Sequence, residues 1–220
     1  MPDFELRRRN MVDCQIRTKD ITDPRVIRAF SQVPREKFVP ASQVERAYVD
    51  DDVRITSGEP ARYLTEPVVL AGLMQMAEVR SGDVVLDVGC ASGYSCALLS
   101  SIATSVVAVE EDEKLVELAT ATLQDLGYDN AVVLAGPLAK GYAKEAPYDV
   151  VFIGGAVDAV PQTLFDQLRD GGRLVCVEGQ GLSGEAKIYL RDGDVVSGRP
   201  EFNAAVKPLP GFAREAAFVF

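Results

Sequence analysis

Histidine and tryptophan are both absent from the 220 residues of this chain, and its four cysteines, at 14, 90, 96 and 176, form no Cys-x-x-Cys pair. Without histidine the chain lacks the commonest general base near neutral pH, and the usual zinc-ligand sets are missing as well, so no metal is expected. A reaction that must deprotonate an alcohol or phenol would need another base here. An acceptor that is already ionised needs none, which tilts the chemistry toward a carboxylate acceptor. The thiols read as small, reduced packing residues. Positive charge is also short: 23 Lys and Arg face 33 Asp and Glu, for a net charge of −10. That argues against nucleic acid as a partner, because broad binding needs a basic face. No run approaches the roughly 18 apolar residues that span a bilayer. The N-terminal MPDFELRRRN has basic residues with no apolar region behind them. No signal peptide and no membrane partner are expected, and the expected location is cytoplasmic.

With 47% apolar and 25% charged residues the composition is that of a globular protein, and 220 residues suit one domain with a sizeable core. Residues 1–60 read as a helical and loop-rich extension. Met11, Val12 and Ile16 recur at helical spacing, Thr22-Asp23-Pro24 opens a second helix, and Val33-Pro34 stops it. The segment 48–61 is polar and ends in Gly58-Glu59-Pro60, a loop signature, before a helical pattern with Pro67 in its first turn. From Val84 strands and helices alternate: strands at 84–88, 105–109, 131–134 and 148–153, helices near 93–102, 112–126 and 160–169. Asp170-Gly171-Gly172 then turns the chain into a strand at 173–178. Ile188–Leu190, Asp194–Val196 and Ala216–Phe220 read as antiparallel strands, the last apolar enough that deleting 212–220 is expected to destabilise the fold. The fold class is α/β: a doubly wound, mostly parallel sheet over residues 61–180, with antiparallel strands in 181–220.

The most informative stretch is VVLDVGCASGY at 84–94. A buried strand ends at Asp87 and runs into Gly89, Cys90, Ala91, Ser92 and Gly93, a loop with almost no side chains, so a ligand can lie against its N–H groups. The next apolar strand ends at Glu110, followed by Glu111. An acid about 20 residues after such a loop can accept hydrogen bonds from both ribose hydroxyls of an adenosine. Gly89 and Gly93 are spaced Gly-x-x-x-Gly, and Tyr94 stands where a dinucleotide fingerprint needs its third glycine. Asp87 would also repel a pyrophosphate and suits a cationic ligand. S-adenosylmethionine, with a sulfonium, an ammonium, a ribose and no phosphate, meets each requirement.

These residues resemble the protein-L-isoaspartate O-methyltransferases, a family of Rossmann-like class I S-adenosylmethionine-dependent methyltransferases. The resemblance covers about residues 10–180. It is carried by Met11-Val12, Gln15-Ile16, VPREKFVP at 33–40 with AYVD after it, VLDVGCASGY, and VPQTLFDQLRDGGRLV at 160–175. It implies that Asp87, Gly89, Cys90, Ala91, Ser92 and Gly93 hold the methionine end and backbone of the cofactor, and that Glu110 with Glu111 holds the ribose. In the family's Thr-Ile-Ser-x-Pro segment the serine is assigned the catalytic role; here Tyr63-Leu64-Thr65-Glu66-Pro67 corresponds, so Thr65 takes that position. The alternative for Thr65 is a helix N-cap. Three segments depart from the family pattern: Pro60-Ala61-Arg62 replaces Gly-Gln, Gly136-Pro137-Leu138 replaces the Gly-Asp-Gly that reaches the adenine, and Gly154-Gly155-Ala156-Val157-Asp158 replaces an alanine-rich stretch. Gly136 and Pro137 are still expected among the cofactor-binding residues.

The implied activity is methyl transfer from the sulfonium to the carboxylate of an isoaspartyl residue in a damaged protein or peptide, with Arg62, Tyr63, Leu64 and Thr65 as the substrate-binding strip. Arg62 can pair with that carboxylate through its planar fork, or be a solvent-facing loop arginine. The alternatives are a different carboxylate acceptor and a non-catalytic, cofactor-binding interaction protein.

Overall fold

The computed structural model describes residues 3–179 and 181–213. In the N-terminal extension, aspartates open the helices. Asp3 accepts from the Leu6 N–H at the head of α1 (Phe4–Met11), and Asp23 accepts from the Arg25 N–H at the head of α2 (Pro24–Gln32). A π turn, Val12–Ile16, follows α1 directly and buries Met11, Val12 and Ile16 as their spacing predicts. Val33, extended before Pro34, ends α2. The Arg7-Arg8-Arg9 cluster lies at the end of α1, where Arg7 pairs with Glu45 at 2.8 Å and Arg9 with Glu5 at 3.6 Å. Cys14 is exposed, whereas Cys90, Cys96 and Cys176 are buried, and all four are free thiols.

The polar segment is held by a minimal hairpin, β1 (Val53–Arg54) against β2 (Tyr63–Leu64). Helix α3 (Pro67–Ala77) follows, with Pro67 in its first turn and Glu66 as its N-cap residue. Thr65 therefore lies one residue too early to cap, and its hydroxyl bonds elsewhere, so the capping alternative fails.

From Val84 the alternation is as expected: β3 (Val84–Val88), α4 (Tyr94–Ser100), β4 (Ser105–Glu110), α5 (Glu113–Asp125), β5 (Ala131–Ala135) and β6 (Tyr148–Val157). Then come α6 (Gln162–Phe165), β7 (Leu168–Glu178), β8 (Glu185–Asp192) and β9 (Val195–Asn203). The sheet order is β5-β4-β3-β6-β7-β8-β9, parallel through β7 and antiparallel beyond. The winding reverses between β3 and β6, and the crevice at the carboxyl ends of such strands is where open α/β sheets take ligands.

Several boundaries differ from the sequence reading. Strand β6 continues past 153 to Val157, and β8 and β9 are longer than the expected 188–190 and 194–196. The helix expected at 160–169 is the single turn α6, and Asp170-Gly171-Gly172 is a bulge inside one long strand rather than a turn before it. Tyr148 pairs with Leu168, and the next pairing is Val150 with Arg173. Gly171 has φ +73°, and a Cβ on Gly172 would lie 2.8 Å from the Arg169 carbonyl oxygen. Glycine is what lets the extra residues bulge without breaking the strand. The strand expected at 216–220 lies outside the described residues, as does most of the segment 212–220. Phe212 itself is buried with Leu138, Leu164 and Leu174 on one face of the sheet.

The other face packs α2, α3 and α4, and within that core sits a fully buried cation, Arg35 of the VPREKFVP segment. Its Nε donates to the Ala47 carbonyl at 2.7 Å, its Nη2 to the Thr65 carbonyl at 2.9 Å, and its guanidinium carbon lies 4.7 Å from the Tyr94 ring centroid. Burial pushes its pKa below the ordinary value. Arg35 thus bolts the extension to Thr65, two residues before α3 begins. Arg35→Met, which keeps the bulk and strands both carbonyls, is expected to lower unfolding stability by roughly 2–4 kcal/mol in urea titration.

Candidate functional site

The loop after β3 is shaped by positive φ angles. Gly89 (φ +79°) still extends the sheet, its N–H donating to the Val109 carbonyl at 2.9 Å, and Gly93 (φ +96°) starts α4. A Cβ on Gly93 would lie 3.1 Å from the Ala119 Cβ, so the second glycine serves the approach of α5. Ala91 holds φ +54° between them, a conformation that costs a non-glycine residue energy. Its N–H donates to Glu110 Oε2 at 2.9 Å, which fixes it there.

Glu110 is fully buried and gathers an unusual number of donors. Besides Ala91, the N–H groups of Glu111 and Asp112 donate to Oε1 at 2.9 and 3.2 Å. The Arg62 guanidinium closes the set: Nη1 pairs with Oε1, and Nη2 donates to Oε2 at 2.7 Å and approaches the Gly89 carbonyl at 3.5 Å. Arg62 is 3% exposed. It is neither a solvent-facing arginine nor free for a substrate; it lies against the acid expected to hold a ribose.

Asp87 behaves differently. Its Oδ2 accepts from Ser95 Oγ at 2.7 Å, while Oδ1 is buried without a hydrogen-bond partner. Burial raises its pKa to about 7, the Ser95 bond opposing and the Glu110 charge adding to the rise. A buried, half-satisfied carboxylate at a strand end is a group prepared for a cation.

The remaining expected residues divide. Thr65 is 8% exposed, and its hydroxyl donates to the Gly154 carbonyl at 2.6 Å, pinning the strip 63–65 to β6. Tyr63 is half-buried and Leu64 buried. Cys90 is buried in the loop, and Ser92 Oγ donates to the Phe38 carbonyl at 2.6 Å, so that serine anchors the VPREKFVP segment rather than facing the crevice. The Glu111 and Pro137 side chains are exposed, and Gly136 contributes its N–H to the Glu110 carbonyl at 3.0 Å. The sequence reading missed Leu138, Leu209 and Lys207. Leu138 is buried and faces Gly89, and Leu209 lies so close that a Cβ on Gly89 would meet its methyls at 2.9 Å. The Leu209 N–H donates to the Ala156 carbonyl at 2.8 Å, holding this segment beside β6. Lys207 is exposed, with Nζ 5.8 Å from the Tyr63 ring centroid. Nothing in the local pattern around 207–209 announces a role; only the tertiary return of the chain creates one.

Two small cavities of about 10 Å³ flank this arrangement, one lined by Tyr63, Cys90, Tyr94 and Ser95, the other by Arg62, Gly155, Lys207 and Leu209. Each has room for about one water. The site is closed by its own side chains.

Comparison with known proteins places this geometry. The family model described as protein-L-isoaspartate(D-aspartate) O-methyltransferase matches residues 6–203. A protein-L-isoaspartate O-methyltransferase of Koribacter versatilis is 38% identical over 172 residues, covering 78% of this chain and 76% of its own. Another, of Protochlamydia amoebophila, is 35% identical over 205 residues, covering 93% and 96%. A solved protein-L-isoaspartate O-methyltransferase superposes with a TM-score of 0.82 at 26% identity, covering 93% of this chain and 67% of that one. With its mostly parallel seven-stranded sheet, its strand-end acids and a family match over nearly its whole length, the chain belongs to the protein-L-isoaspartate O-methyltransferase family.

Proposed function

We infer that this chain uses S-adenosylmethionine to methylate the free carboxylate of isoaspartyl residues in damaged proteins or peptides. The observation that carries the reading is the pair of buried acids, Asp87 and Glu110, at the ends of adjacent strands in a chain of this family. The fit to the cofactor rests on the unpartnered Asp87 Oδ1, which meets an ammonium, and on the bare backbone from Gly89 to Gly93 beside it. When bound, the cofactor supplies a methyl group on a sulfonium.

The protein's own part is placement. Asp87 ionises to hold the cationic end, Cys90 and Ala91 present backbone, and Glu110 is the acceptor for the ribose hydroxyls. Leu138 and Leu209 offer an apolar wall beside Gly89, and Pro137 stands where the family pattern has an acidic contact. The Thr65 hydroxyl, turned from Gly154, donates to the acceptor carboxylate and fixes its direction, a contribution of orientation. Tyr63, Leu64 and Lys207 form the acceptor strip, with the Lys207 cation suited to a carboxylate, and Arg62, bound to Glu110, borders it. No general base is required, because the acceptor oxygen is ionised at neutral pH, which is consistent with a chain that has no histidine. A cytoplasmic location, a single catalytic domain over 1–220, and the lack of nucleic-acid or membrane partners belong to the same proposal. The net charge of −10 supports the nucleic-acid part, and no helix of the described residues is long and apolar enough to cross a membrane.

Two outcomes test the reading. An isoaspartyl peptide is expected to be methylated and its aspartyl twin left alone. Thr65→Val should lower kcat on the former about 10- to 100-fold, the rate equivalent of one hydrogen bond to a charged group, while Thr65→Ser retains activity. Turnover of both peptides alike would remove the isoaspartyl assignment. The second concerns pH. The folded pKa of Asp87, about 7, lies above its ordinary 3.8, so the folded state keeps the proton longer. The resulting stabilisation is complete below the unfolded value and lost as pH rises through about 7. Asp87→Asn should therefore flatten the fall in melting temperature of the ligand-free protein between about pH 5 and 8. Cofactor affinity of the native chain should rise over the same interval, and the variant should lose that rise.

A further inference from the structure

The donors around Glu110 exceed what a ligand can share. A carboxylate offers about four acceptor positions. Three are addressed by the N–H groups of Ala91, Glu111 and Asp112, which belong to the loop after β3 and the turn after β4 and cannot leave without dismantling them. The guanidinium of Arg62 takes both oxygens at once. The position that remains is the one a ribose hydroxyl needs, and Arg62 covers it. Arg62 is also the one donor able to withdraw, since it is a side chain at the end of the polar loop between β1 and β2. That loop is tied by light bonds, among them Arg62 N–H to Thr56 Oγ1 at 2.8 Å.

We propose that Arg62 is an internal competitor for the cofactor's ribose: the cofactor binds only as the guanidinium leaves Glu110, and the freed cation then serves the acceptor carboxylate. The proposal rests on the S-adenosylmethionine reading and adds to it an order of binding, cofactor before acceptor. Charge supports the exchange. With Arg62 in place the site already holds a cation on Glu110, and a sulfonium brought next to it would be repelled. Once Arg62 withdraws, Glu110 keeps its three backbone donors, so it is not stranded as a bare buried charge. The withdrawn side chain starts three residues before Thr65, within the strip that faces the acceptor. The departure of Pro60-Ala61-Arg62 from the family pattern thus becomes a gate in this chain rather than a lost contact.

The experiment is calorimetric titration of the full chain, native and as Arg62→Gln and Arg62→Lys, with S-adenosylhomocysteine and with S-adenosylmethionine. Removing a closed state that must be opened before binding tightens apparent affinity by the fraction that was closed, so Arg62→Gln should bind S-adenosylhomocysteine about tenfold tighter. The gain should be larger for S-adenosylmethionine, which carries the extra positive charge, and Arg62→Lys should fall between native and Gln. In the native protein, NMR should show protected guanidinium N–H signals, absent from Arg62→Gln, that disappear as S-adenosylhomocysteine is added. The S-adenosylhomocysteine complex of Arg62→Gln should then bind the isoaspartyl peptide more weakly than the native complex. Equal or weaker cofactor affinity in Arg62→Gln would overturn the proposal. So would guanidinium signals that persist in the native complex, a readout that needs no variant to be stable. Failure of native and variant alike to bind either ligand would instead remove the cofactor reading and the gate with it.

Discussion

One carboxylate organises the centre of this protein. Glu110 is fully buried, and everything that gives the crevice its form is bonded to it: the Ala91 N–H at positive φ, the turn that starts α5, and the strip that carries Thr65 through Arg62. A charge so placed is stable only while its acceptor positions are filled, since stripping donors from a buried carboxylate costs several kcal/mol. The loop after β3, the 111–112 turn and the β1–β2 hairpin are therefore coupled through one side chain. What looks in sequence like three separate segments is a single electrostatic cluster.

The sheet explains why two acids share this place. Val88 pairs with Val109 across parallel strands, so Glu110 falls opposite Gly89, two residues beyond Asp87 and on the same face. Their proximity is built into register. One acid is satisfied by five donors, and the other keeps a bare oxygen and a raised pKa, in part because of its neighbour's charge. Uneven satisfaction divides the labour between them: one acid is occupied by donors, and the other waits for a cation.

Most of the architecture was legible because it rests on local signals. The Thr22-Asp23-Pro24 start, the Val33-Pro34 stop, and apolar runs ending at Asp87 and Glu110 predict their elements almost to the residue. What local signals leave out has a common cause. Gly171-Gly172 reads as a turn because local rules cannot see that Leu168 before it and Arg173 after it both pair with β6, at Tyr148 and Val150. Ser92 reads as a ligand contact because nothing nearby shows that Phe38, 54 residues earlier, supplies its acceptor. Arg62 suggests a substrate partner by charge alone, yet its carboxylate is 48 residues away on β4. Leu209 gives no signal until the chain returns along β6. Residue chemistry identifies what a group can do; the partner that decides among those options is set by tertiary structure.

The distribution of thiols has a practical side. Cys90, Cys96 and Cys176 are buried, and burial lifts their pKa values above the ordinary range, which suppresses the reactive thiolate form. Cys14 alone stands in solvent, one residue before Gln15, whose side-chain amide donates to the Tyr48 carbonyl. The unmodified chain therefore offers one address for a maleimide dye or spin label, beside the segment that leads into the β1–β2 hairpin. No cysteine-free background has to be engineered first.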